Sequence, residues 1–154
     1  MYKKILVPLD GSELSVCSVE HVKKVAAAEG VSEVILLRVL EPIASNDAAA
    51  WAMAGYSVID LVNKNKTLAS GYLSQAAEEL NKQGISARTA VIEGSAAEAI
   101  LDYAEKNKVD LIMITTHGRS GISRWAYGSV ADRVLRHSTI PVLVISPPGC
   151  RTDN

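Results

Sequence analysis

Five short aliphatic runs, separated by segments of helical or loop character, constrain this chain more than any other feature. The runs are Ile5–Leu9, Val34–Leu40, Ala87–Ile92, Leu111–Ile114 and Pro141–Ile145. Nearly continuous apolarity over so few residues is typical of strands that are buried on both faces of a parallel sheet. Alternation of such strands with helices favours right-handed crossovers. The sequence therefore predicts an α/β fold, with a doubly wound, Rossmann-like sheet of five parallel strands and helices on both faces.

The length and composition of the chain suit one domain with an aliphatic core. The chain has 154 residues, nearly half of them hydrophobic, and it has no phenylalanine. A chain of this size can bury a sizeable core without splitting. Pro147 and Pro148 are expected to end the regular structure. We expect a single domain over residues 1–147 and a mobile tail over residues 148–154.

One segment, from Pro42 to Ser57, shows little polarity and no clear period. An irregular segment of this length is commonly a lid or a binding loop, so a lid or an interface is one interpretation. The alternative is a frayed helical extension that packs Trp51 on the surface. The next segment has helical spacing, with Ile59, Val62 and Leu73 among the apolar residues that follow it.

The stretch from Thr115 to Ser129 carries glycines between the fourth apolar run and a predicted helix. Backbone N–H groups in a loop that leads into a helix N-terminus form a site for phosphate. Gly118 and Gly121 would let the backbone approach a ligand closely. Gly128 and Ser129 would open the helix with a hydroxyl that caps it or contacts a phosphate oxygen. The stretch predicts a phosphate or nucleotide binder.

Three predicted strand ends are expected to meet in one crevice. They are Pro8–Asp10, Val39–Glu41 and Ile114–Thr115, and the glycine-bearing loop starts at the third of them. Ligands of doubly wound sheets bind beyond the carboxyl ends of the strands, where the strand order reverses. The site is therefore predicted at this crevice.

Charge, cysteines and absent motifs exclude several other classes of protein. The formal charge of −1 comes from 16 basic and 17 acidic residues, which gives no support to binding of nucleic acid or a membrane surface. The two cysteines form no disulfide or metal pattern, and no signal peptide or membrane span is visible, so a reducing cytoplasm is expected. The chain has no P-loop, zinc pattern or nucleophile elbow. No acid, base and nucleophile are paired near the loop, so hydrolysis would be slow and would depend on a metal.

Four segments match a known family: Lys4–Ser12, Thr116–Gly121, Gly128–Ala131 and Pro141–Val144. With these segments the chain resembles the universal stress protein family over nearly its whole length. The resemblance implies a fold like that of the adenine nucleotide alpha-hydrolases. It also implies a homodimer that pairs through the last strand, Val142–Ile145, whose apolar character fits such pairing.

The ATP-binding members of that family carry a spaced glycine motif, which this chain matches in part. The motif is glycine, two residues, glycine, nine residues, then Gly-Ser or Gly-Thr. Gly118 and Gly128–Ser129 fit it, whereas Thr115 occupies the first glycine position. A β-branched side chain there would either crowd the nucleotide or offer it a hydroxyl.

The resemblance implies an adenine nucleotide, either ATP, ADP or AMP, lying across the strand ends. Residues on the base and ribose side would be Pro8, Leu9, Asp10, Val39, Ile114 and Thr115. Residues around the phosphates would be Gly118, Arg119, Gly121, Gly128, Ser129 and Val130. Asp10 would hydrogen-bond ribose hydroxyls or a water bound to Mg²⁺.

Several of these residues also have plain structural interpretations. Asp10 could serve only as a helix cap, Arg119 could be solvated, and His117 could bond loop backbone instead of acting as a base.

The expected function is an adenine-nucleotide switch in a stress response. The alternatives are a dimeric scaffold that does not use nucleotide and a slow Mg²⁺-dependent ATPase.

Overall fold

A computed structural model describes residues 2–116 and 128–145 of the chain. It contains five strands and five helices within those ranges. In chain order they are β1 (Lys4–Pro8), α1 (Glu13–Glu29), β2 (Glu33–Leu40), α2 (Ser45–Met53), α3 (Val58–Lys82), β3 (Ala87–Glu93), α4 (Ala96–Lys106), β4 (Leu111–Thr115), α5 (Ser129–His137) and β5 (Val142–Ile145).

The five strands form one parallel sheet with the order β3-β2-β1-β4-β5. At its centre Ile5 of β1 lies beside Val34 of β2 on one side and Leu111 of β4 on the other. The chain runs outward from β1 to β3 and then returns to the other side of β1 for β4 and β5. This reversal confirms the predicted doubly wound parallel sheet.

Alternate residues of the strands build two separate cores, one on each face of the sheet. Ile5 and Val7 of β1 belong to the core beneath α1 and α3, and Leu6 between them belongs to the core beneath α4 and α5. Helix residues in the first core include Val22, Leu73 and Leu80, and those in the second include Ile100, Ala104 and Val134. Burial on both faces explains why these strands have no polar alternation.

Residues 42–57 contain a helix, in agreement with the alternative interpretation of this segment as a helical extension. Helix α2 covers Ser45–Met53, and none of its residues is buried. Its Trp51 is 46% exposed and meets Tyr56 edge-on, with the ring centroids 5.6 Å apart. A helix without a buried face has no apolar period to detect, although its alanines favour helix on propensity alone.

Helix α3 has two different halves. Its buried side chains are Ala69, Leu73, Ala77 and Leu80, whereas Ile59, which follows the same helical spacing, is 72% exposed. A helix of 25 residues is about 37 Å long, and the eight-residue β2 is only about 26 Å long. The first half of α3 therefore stands beyond the strand it accompanies, and it is free to form the wall of a cleft.

The amino-terminal edge of the sheet is tied by a polar network. The Arg88 guanidinium donates to Glu33 Oε1 over 2.6 Å, to the Tyr103 hydroxyl over 3.0 Å and to Asn107 Oδ1 over 3.2 Å. The Lys4 ammonium lies 3.3 Å from Glu33 Oε2. Burial alone would raise the pKa of the Glu33 carboxyl, but the hydrogen bonds from Arg88 and Lys4 outweigh it and hold that pKa below its usual range. The network joins β1, β2, β3 and the end of α4.

Candidate functional site

A cleft of about 730 Å³ opens at the carboxyl ends of β1, β2 and β4. It lies beside the point where the strand order reverses, which is the usual ligand position in doubly wound sheets. Its volume is within the range of small-molecule sites. The walls come from the ends of these strands, from α3 on one side and from the start of α5 on the other.

The turn after β1 forms the floor of the cleft. Leu9 is buried, and its N–H donates to the Leu37 carbonyl over 2.8 Å, which joins β1 to β2. Asp10 Oδ1 accepts from the Ser12 N–H over 2.9 Å and from the Ser12 hydroxyl over 2.6 Å. Gly11 has a φ of +80°, a left-handed conformation that side chains disfavour. Asp10 therefore orders the turn that precedes α1 and also lines the cleft.

The junction between β4 and α5 depends on a close backbone approach. The Gly128 N–H donates to the Thr116 carbonyl over 2.6 Å, and a Cβ on Gly128 would lie only 2.9 Å from that oxygen. The Thr116 N–H in turn donates to the Ile145 carbonyl over 3.0 Å. Only glycine lets α5 start this close to the end of β4. The junction brings the first turn of α5 into the wall of the cleft.

The start of α5 directs its positive end toward the cleft. Gly128 is the cap residue and Ser129 is the first helical residue, so the predicted capping by the Ser129 hydroxyl is wrong. Within residues 2–116 and 128–145 no hydrogen bond involves the Ser129 side chain, and the same holds for the Thr115 hydroxyl. N–H groups at a helix start, with a hydroxyl beside them, suit an anionic group of a ligand.

A second tether holds α5 against α4 next to the cleft. Arg133 Nη2 lies 3.1 Å from Glu98 Oε1, and the Ser95 hydroxyl donates to the same carboxylate group. The hydrogen bond from Ser95 is the main cause that lowers the pKa of the Glu98 carboxyl, and the charge of Arg133 acts in the same direction. The carboxylate stays ionised, so the pairing that positions α5 is kept at neutral pH.

The predicted site residues fall into two groups. Nine of them line this one cleft, namely Pro8, Leu9, Asp10, Val39, Ile114, Thr115, Gly128, Ser129 and Val130. The other three predicted residues, Gly118, Arg119 and Gly121, lie outside the described ranges. The structure thus brings together residues that are up to 122 positions apart in the sequence, from Pro8 to Val130.

Sequence reasoning missed the wall that α3 contributes. Its cleft-lining residues are Asn65, Leu68, Ala69 and Tyr72, and α4 adds Ala96 and Ile100. Spacing of three and four residues along α3 marks a single helix face. That spacing alone does not reveal that the face borders a cleft, because this depends on how far α3 extends beyond β2.

Charges in the described part of the cleft wall are few. Arg38, Asp10 and Glu41 line it, and Arg38 Nη1 donates to the Leu9 carbonyl over 3.3 Å.

Among residues 2–116 and 128–145, no three histidine, cysteine or acidic side chains are grouped as metal ligands. Over the same ranges no helix is long and apolar enough to cross a membrane.

A family model provides the deciding comparison. The model described as the universal stress protein family matches residues 1–146 of the chain. The chain belongs to the universal stress protein family. The predicted resemblance is thereby confirmed, and with it the expectation that the fold is that of this family.

Individual universal stress proteins resemble the chain over nearly its full length. MJ0531 of Methanocaldococcus jannaschii is 34% identical over 151 residues, which cover 96% of this chain and 84% of the relative. The solved structure of MJ0577, from the same organism, matches with a TM-score of 0.80 and 30% identity, covering 100% of this chain and 99% of its own. A universal stress protein solved in complex with cAMP matches with a TM-score of 0.65 and 25% identity, covering 94% of this chain and 97% of its own.

Proposed function

We propose that this universal stress protein binds an adenine nucleotide, either ATP, ADP or AMP, in the cleft and acts as a nucleotide-dependent switch in a stress response. One observation carries the proposal. Nine residues chosen from the sequence as nucleotide contacts line a single cleft, at the strand-order reversal and against the start of a helix. The family member solved with cAMP supports an adenine-containing ligand as the class.

The ligand would lie across the strand ends, with its phosphates toward α5. Pro8, Leu9 and Val39 would contact the base and ribose, and Ile114 and Thr115 would pass beneath them. The phosphates would be held by the start of α5 and by the glycine-bearing loop, with Gly118, Arg119, Gly121, Gly128, Ser129 and Val130 around them. Helix N–H groups and the helix dipole would stabilise this negative charge.

Magnesium fits this site only as a companion of the phosphates. Mg²⁺ in nucleotide sites is usually held by one or two carboxylates together with phosphate oxygens. Asp10 lines the cleft and would contact a water on such an ion, whereas Glu41 is the other carboxylate in the described wall. When bound, the ion would offset phosphate charge, and Asp10 would orient its water.

A homodimer that pairs through β5 is part of the proposal. Strand β5 lies at one edge of the sheet, and Leu143 on it is 40% exposed. An edge strand offers a row of N–H and C=O groups to a second strand, and a two-fold axis would pair the same edge of two copies. Analytical ultracentrifugation would show a dimer mass, and a monomer at micromolar concentration would contradict the proposed homodimer.

The cytoplasmic location stays a prediction.

A nucleotide-independent scaffold is the second candidate function. Helix α2 has no buried residue, and Met53 at its end is 91% exposed beside the partly exposed Trp51. Exposed aromatic and methionine side chains are common in protein interfaces.

A slow ATPase stays a prediction. Release of phosphate that requires Mg²⁺ and that falls in Asp10→Ala would support it.

The first experiment asks whether the protein carries or takes up nucleotide. Protein purified without added nucleotide is denatured, and the supernatant is analysed by ion-exchange chromatography at the adenine absorbance. ATP, ADP and AMP are then titrated into the emptied protein by calorimetry, with Ile59→Ala as a control for an exposed residue away from the cleft. Saturable binding of any one of them, equal in the control, supports the proposal. Absence of both co-purified nucleotide and binding heat at millimolar ligand contradicts it and favours the scaffold.

A further inference from the structure

One face of helix α3 forms a continuous stripe of residues along the cleft. No sequence motif of the chain gives this stripe a function. Asn65, Leu68, Ala69 and Tyr72 all line the cleft, and they follow the spacing i, i+3, i+4 and i+7. Residues with this spacing lie on one face of a helix, one above the other. The buried face of the same helix continues through Leu73 and Leu80, so the stripe diverges from the core as the helix passes beyond β2.

The stripe is held next to the end of β2. In the sheet register Leu40 of β2 lies beside Glu93 of β3, and Glu93 Oε1 is 2.6 Å from the Lys66 ammonium on α3. Lys66 follows Asn65 directly, so this contact places Asn65 near the end of β2. Both partners are about half exposed, so the pair itself contributes little to stability.

The stripe also lies at the opposite end of the cleft from the phosphate-binding helix. Helix α5 starts beside β4, whereas α3 packs on β2 and β3 at the other side of β1. A nucleotide with its phosphates at the start of α5 therefore extends its base toward β2 and α3. Asn65 and Leu68 then border the base, not the phosphates.

The two side chains have chemistry that suits a purine base. Leu68 is 63% exposed although it lies in a cleft wall, so it offers apolar surface to a flat ring. The Asn65 amide takes part in no hydrogen bond within the described ranges of the chain. An asparagine side chain offers one donor and one acceptor together, which matches the amino group and ring nitrogen of adenine. Guanine presents two acceptors, O6 and N7, on the corresponding edge and is matched poorly.

We propose that α3 is the base-reading wall of the cleft, in which Asn65 hydrogen-bonds the edge of adenine and Leu68 covers its face. This inference rests on the proposed function, because it takes the ligand to be an adenine nucleotide. It adds a specificity-determining residue on a helix that the glycine motif does not include.

The test compares AMP with GMP for Asn65→Leu. Leucine keeps the branched shape of asparagine and removes both kinds of hydrogen-bonding group, so AMP should bind about tenfold more weakly while GMP changes little. Asn63→Leu is the matched control, since Asn63 is exposed on the same helix and does not line the cleft. Affinities come from calorimetric titration, and the melting temperature checks that each variant stays folded.

The proposal is supported if the ratio of AMP affinity to GMP affinity falls in Asn65→Leu while Asn63→Leu keeps the ratio of the parent protein. An unchanged ratio in a folded Asn65→Leu that still binds AMP overturns it and leaves the proposed function standing. Failure of the parent protein itself to bind AMP, ADP or ATP overturns both.

Leu68→Ala gives an independent readout of the same wall. Loss of apolar contact with the ring should weaken AMP and GMP by a similar factor, about three- to tenfold, and leave their ratio unchanged. Ile59→Ala, at an exposed position outside the cleft, should leave both affinities as they are. Equal affinities in Leu68→Ala and the parent protein would overturn the placement of the base against α3.

Discussion

The edge of the sheet at which its strands begin and the edge at which they end use polar side chains in opposite ways. At the amino-terminal edge the Arg88 guanidinium donates to Glu33, Tyr103 and Asn107, so these polar groups are paired within the fold. At the carboxyl edge Asn65, Thr115 and Ser129 line a cleft, and within residues 2–116 and 128–145 their side chains make no hydrogen bond. Polar groups that are paired stabilise a fold, whereas groups that are left available can bind a ligand. Substitutions of the paired side chains should therefore change mainly stability, and those of the available side chains should change mainly binding.

The largest expected effect is at the carboxyl edge, in Gly128→Ala. The new Cβ would lie 2.9 Å from the Thr116 carbonyl oxygen, so α5 must move away from β4. We expect adenine-nucleotide affinity to fall more than about tenfold, with a loss of about 1–3 kcal/mol in the free energy of unfolding from overpacking. Calorimetric titration and urea unfolding measure the two quantities. Unaltered affinity in this variant would show that the β4–α5 junction is not part of the site.

Next in size is the loss of the network at the amino-terminal edge, in Arg88→Met. Glu33 would lose its 2.6 Å partner, and Tyr103 and Asn107 would each lose a hydrogen bond. Because Arg88 is partly exposed, we expect a cost of only about 1–2 kcal/mol in the free energy of unfolding. Urea unfolding gives the cost, and nucleotide affinity should stay as in the parent protein. A parallel loss of affinity would break the comparison between the edges.

A smaller effect at the same edge depends on pH. Since its partners hold the pKa of Glu33 below the usual range, the ionised carboxylate stabilises the fold fully above the ordinary glutamate pKa. This contribution is lost as the pH falls through the lowered pKa of the folded state. Glu33→Gln should thus be less stable than the parent protein by roughly 1 kcal/mol or less at pH 7, and the gap should narrow as the pH falls below the ordinary glutamate pKa. Urea midpoints at pH 7, 5 and 3 measure the gap, and a constant gap would contradict this account.

The smallest expected effect is a gain in stability, in Gly71→Ala. Gly71 lies in the middle of α3, and a Cβ built on it meets no described atom within 4 Å. Alanine should stabilise the helix by about 0.5–1 kcal/mol, because it loses less backbone entropy on folding. The melting temperature measures this gain, and affinity should not change. A glycine-to-alanine substitution is thus expected to raise stability at Gly71 and to lower it at Gly128. A destabilised Gly71→Ala would refute this contrast between the two glycines.

Much of the site was predictable because local patterns determine where strands end. The turn at Pro8–Asp10 and the end of β2 at Val39 follow directly from the apolar runs, and both line the cleft. The interpretation of Asp10 remained open in the sequence, since an aspartate between a strand and a helix suits both a helix cap and a ligand site. In the structure Asp10 accepts hydrogen bonds from Ser12 in the turn before α1, and it also lines the cleft.

What the sequence left open also has a physical cause. The helical interpretation of residues 42–57 stayed undecided because α2 buries nothing, and Ile59 is exposed although it continues the helical period of α3. An apolar period records which face of a helix could be buried. It does not record whether a strand lies beneath that part of the helix.

By itself the sequence determined the alternation of strands and helices, the parallel sheet and the set of strand ends that meet at one edge. These follow from burial patterns that act over a few residues. Only the tertiary structure decided that Gly128 must approach the Thr116 carbonyl, that Arg88 pairs with Glu33 across 55 positions, and that Asn65 and Leu68 face the cleft. Each of these arrangements depends on how separate elements pack together, which is set by the crossovers and by the length of α3 beyond the sheet.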